Sequence, residues 1–444
     1  MIPRTLSRGV LFGALALWFV VSFASGARAQ KAKKPPPGDP VNCPYCHNDP
    51  VLLEAAGLVN HGGFEFGLND TAKVDELLTG VQVHWLETKN FKIGLALGIG
   101  KIKFEDKKRY IAELTRLQTM LPDVKPETAT LDPWLRVHMF AQRAEDLHAR
   151  FLDLIAGHDF VFNDGKSQSL IGDYRGEGPY LGMKRKYEIL FLPNATLQTK
   201  FLAAHTGLQT KNSQRWHYVD HGSIGVICHT EEGALRQDLA LHGHLAFNLA
   251  HNLFDGLLHY SYDTPVWLHE GLAHVFEREI QVDSNSFDSS EGAVPQVSSK
   301  SNWKAEVLKI LAQGDAPRLA ELVSLKSYAE LKLDHHFVLW SMVEYLMKTQ
   351  PEGFGKFLWA MKRCTDAQGV PTGANLPEHQ RTQFRECFEM NYAEFDEAWR
   401  AWATVNYKPA PPGKGGAEEG TQPGVPGNPM GGFGGPVRGG IGGG

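Results

Sequence analysis

Two residue types able to bind a divalent metal stand at an informative spacing in this chain: Glu270, inside Trp267-Leu268-His269-Glu270-Gly271-Leu272-Ala273-His274, and His251, 19 residues before it. A carboxylate and an imidazole are oxygen and nitrogen donors suited to zinc, and a catalytic zinc usually takes three protein ligands. Residues four apart on an α-helix sit about 40° from each other around the axis, so a donor at 247 would face the same ion as His251. Position 247 is phenylalanine, which cannot ligate. Position 248 is the amide Asn248, and an amide cannot act as a general base.

On these residues the stretch resembles the gluzincin (peptidase MA-like) metallopeptidases. Those enzymes carry two zinc histidines and a catalytic glutamate in an H-E-x-x-H turn, and a third ligand in a W-L-x-E-G-x-A helix about 19 residues on. Here the turn reads Phe247-Asn248-Leu249-Ala250-His251. The resemblance, which covers roughly residues 186 to 406, therefore implies His251 and Glu270 as metal ligands, no first ligand and no catalytic residue, with Asn248 at the general-base position. It implies a mainly helical domain with a small sheet.

Asp255 and His274 are the additional ligands the spacing offers, four residues after His251 and Glu270 respectively. If the two helices pack antiparallel, one turn further along each moves these groups in opposite directions, away from a common centre. His244 lies about 10 Å along the axis from His251, too far to share an ion. His242, His244, His259 and His269 read as helix-surface or hydrogen-bonded core histidines.

A second constellation is Cys43-Pro44-Tyr45-Cys46-His47. C-x-x-C-H is the attachment pattern of c-type haem, with the histidine as axial ligand, and His61 or His84 would have to supply the other. Cys43 and Cys46 with one or two of His47 and His61 would equally make a structural zinc knuckle. A local disulfide or plain thiols is the third reading. C-P-Y-C is also similar to the glutaredoxin redox pair, which belongs after a strand, whereas a proline-rich stretch precedes it here.

The remaining chain supplies the elements that must position these groups. Arg4 and Arg8, the apolar run Val10 to Val21 and Ala27-Arg28-Ala29 form a signal-peptide pattern over 1–29, which implies a secreted or periplasmic protein with no transmembrane anchor after cleavage. A Pro/Lys linker spans 30–42, the Cys-containing region 43–80, a hairpin with helices 81–185, the peptidase-like core 186–301, a helical part 302–407 and a disordered Gly/Pro-rich tail 408–444. The hairpin rests on Val81 to Ile102, which is β-branched and glycine-punctuated. Helices are expected over Lys107 to Met120, over Pro133 to Ile155 with Asp132 as cap, over Leu235 to His259, and from Pro265 or Val266 onward. Strands are expected at Lys186 to Leu192 and on both sides of His221-Gly222, and Val282 to Ser301 reads as a polar surface loop.

Among the five cysteines, Cys364 and Cys387 flank a Gly/Pro-containing excursion and form a candidate disulfide, while Cys228 lies in an apolar run and reads as a buried small residue. Trp340 with Tyr345, and Trp399 with Trp402, have core spacing. Asn194-Ala195-Thr196 matches a glycosylation sequon. A net charge of −5 without a basic stripe argues against a nucleic-acid partner. The fold class expected is α+β, and the expected function is an exported peptidase-like protein with an incomplete zinc site that binds a peptide or protein partner. An active zinc metallopeptidase with a non-standard ligand set and a c-type haem electron-transfer protein are the alternatives.

Overall fold

The computed structural model describes residues 39, 42–166, 174–231, 233–287, 302–407 and 434–438, the last by backbone alone. The signal-peptide segment, most of the linker, the later part of the polar loop and the tail apart from 434–438 lie outside the described residues.

Alternation builds the centre of the fold. Seven strands form one mixed sheet: β1 (Leu58–Asn60), β2 (His84–Thr88), β3 (Phe91–Leu95), β4 (Tyr187–Leu192), β5 (Gln214–Tyr218), β6 (Ser223–His229) and β7 (Gly434–Arg438), in the order β1-β2-β3-β4-β6-β5-β7. The expected hairpin is β2–β3, with His84 opposite Leu95 and Glu87 opposite Lys92. β3 and β6 each run parallel to β4, and β5 pairs antiparallel with β6 across the His221-Gly222 turn. Successive side chains of a strand point to opposite faces. On β4, Tyr187, Ile189 and Phe191 enter the larger core, whereas Leu190 and Leu192 enter a smaller one with Trp85, Phe201 and Trp216. Glycine is required where an indole crosses a strand: a Cβ at Gly225 would lie 2.1 Å from the Trp216 ring, and one at Gly94 would lie 2.3 Å from Trp85.

The helices are α1 (Pro50–Ala55), α2 (Thr71–Leu77), α3 (Lys107–Gln118), α4 (Pro133–Leu154), α5 (Ala195–Thr206), α6 (Asp238–Gly256), α7 (Val266–Ile280), α8 (Trp303–Gln313), α9 (Leu333–Thr349), α10 (Pro351–Lys362), α11 (Leu376–Phe388) and α12 (Tyr392–Asn406), besides shorter turns. The fold is α+β, about half helical. Asp132 caps α4 by accepting from the amides of Trp134 and Leu135 at 2.9 and 3.1 Å, and Pro133 occupies the first turn, where no amide proton is missed. Asn194 of the sequon likewise caps α5, accepting from Leu197 N at 2.9 Å. From Ala240 to Gly256 every residue of α6 is buried, so this helix is enclosed by the sheet, α4 and α7, and its histidines, asparagines and Asp255 lie inside the fold among apolar side chains. Trp340, Tyr345 and Trp399 are buried and Trp402 packs on Tyr345; Cys228 is buried on β6.

No helix among the described residues is long and apolar enough to cross a membrane. All five cysteines are unbridged, which corrects the pairing of Cys364 with Cys387. Cys364 lies just past the C-terminal end of α10, whereas the backbone of Cys387 packs on Gly353 near the start of that helix. Eleven residues of helix hold those places about 16 Å apart, beyond the reach of a disulfide.

Two arginines of α4 fasten the start of α6. Arg136 and Arg143 each approach a different oxygen of Asp238 at 2.8 Å, and Arg143 also meets Glu113 of α3 at 2.7 Å. Burial opposes ionisation of Asp238, but the two guanidiniums outweigh it and hold the carboxyl below its usual range. Removing one partner of such a group leaves buried charge uncompensated, so Asp238→Ala is expected to lower the unfolding free energy by about 3–5 kcal/mol, read from urea midpoints. Because the folded-state value is depressed, this contribution is present above the unfolded value near 4 and disappears as pH falls through the folded one. The ion-pair part of the difference between wild type and variant therefore shrinks only in acid.

Candidate functional site

Pro265 ends the loop after α6 and starts α7, which carries Glu270 and His274 one turn apart on the face turned to α6 and α9. Gly271 permits that packing: a Cβ there would lie 2.6 Å from Val343 Cγ2 and 2.8 Å from the Leu339 carbonyl oxygen. With no side chain at 271, α9 closes on α7 and brings His336 beside Glu270.

The result is a fully buried carboxylate among three imidazoles. His274 Nε2 lies 3.0 Å from Glu270 Oε1, His336 Nδ1 lies 3.5 Å from the same oxygen, and His251 Nε2 lies 3.4 Å from Oε2. His274 Nε2 and His336 Nδ1 are 3.1 Å apart. Both oxygens of Glu270 thus face imidazole nitrogens, Oε1 those of His274 and His336 and Oε2 that of His251, and the potential donor atoms converge on one point. Ligands at about 2.0–2.1 Å from a tetrahedral zinc lie about 3.3 Å from one another, close to the separations found. Glu270, His274 and His336 are thus the residues that could hold a metal, in a two-histidine, one-carboxylate set. Glu277 lies 3.8 Å from His274 Nδ1, on the side from which carboxylates commonly orient metal-binding histidines.

Burial would raise the Glu270 carboxyl, but the surrounding imidazoles, His274 foremost, hold it well below the usual carboxylate range. Burial would lower His274, yet Glu270 overcomes it and pushes this imidazole up. His251 is driven well down by burial. Among the three imidazoles His274 therefore makes the strongest electrostatic contact with Glu270.

Phe247 and Asn248 occupy the positions expected from the sequence. The Phe247 ring stands 4.8 Å from the His251 ring and 5.3 Å from that of His274. Asn248 donates to the His244 carbonyl at 2.8 Å and accepts from Arg215 at 3.3 Å. Phe287 and Trp303 close the other sides, at 5.4 and 4.7 Å from the His274 ring.

Asp255 does not join this cluster. Its oxygens face His217 of β5 at 3.4 Å and His269 of α7 at 3.3 Å, and Lys362 donates to its backbone carbonyl at 2.8 Å. Burial pushes His217 and His269 down to about 3 and the Asp255 carboxyl up, and Lys362 down to about 8. His269 also reaches the His251 carbonyl at 3.2 Å and the Tyr328 hydroxyl. Asp255, His269 and Tyr328 line a surface cleft of about 640 Å³ with Tyr260, Thr264 and Gln380. Two members of this second cluster, Asp255 and His269, thus belong to the cleft wall, whereas the residues of the first have no exposure.

In the N-terminal region, Cys43 and Cys46 are buried, but His47 turns outward to Asp123 at 2.8 Å with about half of its side chain exposed. This corrects the placing of His47 as a haem or zinc ligand beside the two thiols. The turn at His47 and Asn48 has positive φ values of 51° and 55°, which directs the imidazole away from the sulfurs. His138 of α4 stands beside the thiols instead. His217 and His138 each stand as one histidine in an ordinary pattern and His336 follows His335, so none carries a motif; the signal for His336 is its place on the apolar stripe with Leu339, Trp340 and Val343.

Residues 242–365 match a family described as "Protein of unknown function (DUF1570)". The match begins in α6 and ends just beyond α10, so it contains both buried clusters except for His217. No curated protein matches the chain.

The close approach at Gly271 gives a test with a definite sign. An exposed Gly→Ala change inside a helix stabilises by up to about 1 kcal/mol. At a filled helix interface an added methyl costs about 1–3 kcal/mol. Gly271→Ala is expected to lower the chemical-denaturation midpoint, and a higher midpoint would contradict the packing described.

Proposed function

We propose that the protein is an exported, peptidase-MA-like protein that lacks peptide hydrolysis and holds a peptide or a segment of another protein in the cleft beside α7. The observation that carries this reading is the state of positions 247 and 248. An aromatic ring stands beside His251 and His274 where a ligand would be, and an amide tied to Arg215 and His244 stands where a carboxylate would take a proton. A catalytic metal needs an open position for water or substrate, and the Glu270 cluster is sealed by Phe247, Phe287 and Trp303. The gluzincin resemblance of Trp267, Leu268, Glu270, Gly271 and Ala273 supports a peptidase ancestry for the helix pair, and the signal-peptide pattern supports export. The cleft over Asp255 and His269, close in size to common ligand pockets, supports binding.

A second reading is favoured by one specific observation, the convergence of Glu270, His274 and His336 as a two-histidine, one-carboxylate set. In that reading the protein is a zinc hydrolase with non-standard ligands. The same residues make a closed structural metal centre in the first reading, and one experiment separates the two. Purified protein and its Glu270→Gln variant are compared for hydrolysis of a casein-like substrate with and without a chelator. The expected result is no chelator-sensitive cleavage in either protein, and cleavage by the wild type that is lost in Glu270→Gln would overturn the binding reading in favour of the hydrolase.

Restoring the missing groups tests the ancestry itself. Phe247→His with Asn248→Glu is expected to raise zinc affinity roughly 10-fold or more, followed by competition with a chromogenic chelator. Unchanged affinity in a folded double variant would count against the assignment of this turn.

A further inference from the structure

We infer that Cys43, Cys46, His61 and His138 form a structural zinc site that fastens the N-terminal segment to the main body of the fold. Four donors from three separate stretches of chain meet there. Cys43 Sγ lies 3.3 Å from His138 Nε2, and Cys46 Sγ lies 3.0 Å from His61 Nε2. The donor atoms of Cys43, Cys46 and His138 all lie within 4.8 Å of one another, and the His61 and His138 rings are 5.8 Å apart at right angles. Both cysteines and His138 are essentially without solvent exposure.

The chemistry of the set selects its ligand. Two thiolates and two imidazoles are the tetrahedral donor set of structural zinc, and sulfur and nitrogen ligands of one zinc lie about 3.5 Å apart. The two sulfur–nitrogen contacts, 3.3 Å for Cys43 with His138 and 3.0 Å for Cys46 with His61, are slightly shorter than that value, and His61 stands next to the three-donor group on the Cys46 side. His61 Nδ1 faces the Trp85 carbonyl oxygen at 3.2 Å, which places the ring proton there and leaves the Nε2 lone pair for the metal, the usual outer contact of a metal-bound histidine. Pro44 and Tyr45 form the turn that presents both sulfurs on one side, and Tyr45 donates to Asp132, the cap of α4. Binding displaces the two thiol protons to solvent and leaves a neutral four-ligand complex. A disulfide between Cys43 and Cys46 would give the two imidazole nitrogens nothing to bind, and a haem bound through these thiols would lack His47.

The site closes a circuit through the fold. It joins the segment before α1, the residue after β1 and the second turn of α4, with Cys43 and His138 separated by 95 positions in sequence. It shares no ligand with the Glu270 cluster, so the two fail or succeed separately.

The test uses the whole protein, purified without reductant and loaded with cobalt(II) in place of zinc. Thiolate-to-cobalt charge-transfer absorption together with intense tetrahedral d–d bands is expected, and both should persist in Glu270→Gln and His47→Ala. They should vanish in Cys46→Ser, with loss of about one zinc equivalent from the zinc form. His138→Ala is expected to weaken zinc binding at least about 10-fold. Because a cysteine variant can fail to fold, wild-type thiols are also titrated with a disulfide reagent. Cys43 and Cys46 should react only after a chelator removes the metal. A Cys43–Cys46 disulfide in the peptide map, free thiols with no metal, or a Soret band would each overturn the proposal.

Discussion

A charged carboxylate cut off from water must be compensated within the protein, and Glu270 sets this requirement for the middle of the chain. Left alone, such a group would cost several kcal/mol. Here α6, α7 and α9 each contribute an imidazole to it. Three helices are thereby held at one distance and rotation, because turning any of them would withdraw a histidine from a group that nothing else can satisfy. Gly271 follows from the same requirement, since His336 reaches the carboxylate only where two helix backbones nearly touch.

Around that centre the polar and apolar demands are divided. Phe247 and Asn248 turn one wall into a ring and a neutral amide, so the cluster is dry. The ionisable groups in the cleft wall are instead Asp255, one helical turn further along α6, and His269 of α7, with His217 of β5 buried behind Asp255. The buried part has the donors of a metal centre without a way in, and the reachable part has ionisable groups without that donor set. The proposal of a binding rather than a hydrolytic role rests on this separation.

What was legible in the sequence was what local physics decides. Asp132 and Pro133 announce α4, Pro265 announces α7, and the β-branched run beginning at Val81 announces the hairpin, because caps, proline and alternation act over a few residues. The pairing of His251 with Glu270 was legible from spacing within two consecutive helices. His336 was not, since the glycine that admits it acts across an interface with a helix more than 60 positions later in the sequence. The Cys43 and Cys46 pair is visible as a motif with His47 and His61 as its candidate partners; His61 does reach Cys46, whereas the turn's left-handed residues point the His47 ring to Asp123. Cys364 and Cys387 failed for a related reason. Chain proximity across an excursion says little when a rigid helix lies between the two places.

His269 stands in both halves of this arrangement, one nitrogen on the Tyr328 hydroxyl at the cleft and the other shared between Asp255 and the backbone carbonyl of His251. A guest that draws Tyr328 or Asp255 towards itself also pulls on the rung of α6 that carries a Glu270 neighbour. His269 therefore ties the wall of the cleft to the backbone of a residue that touches Glu270, and a displacement of the one strains the other.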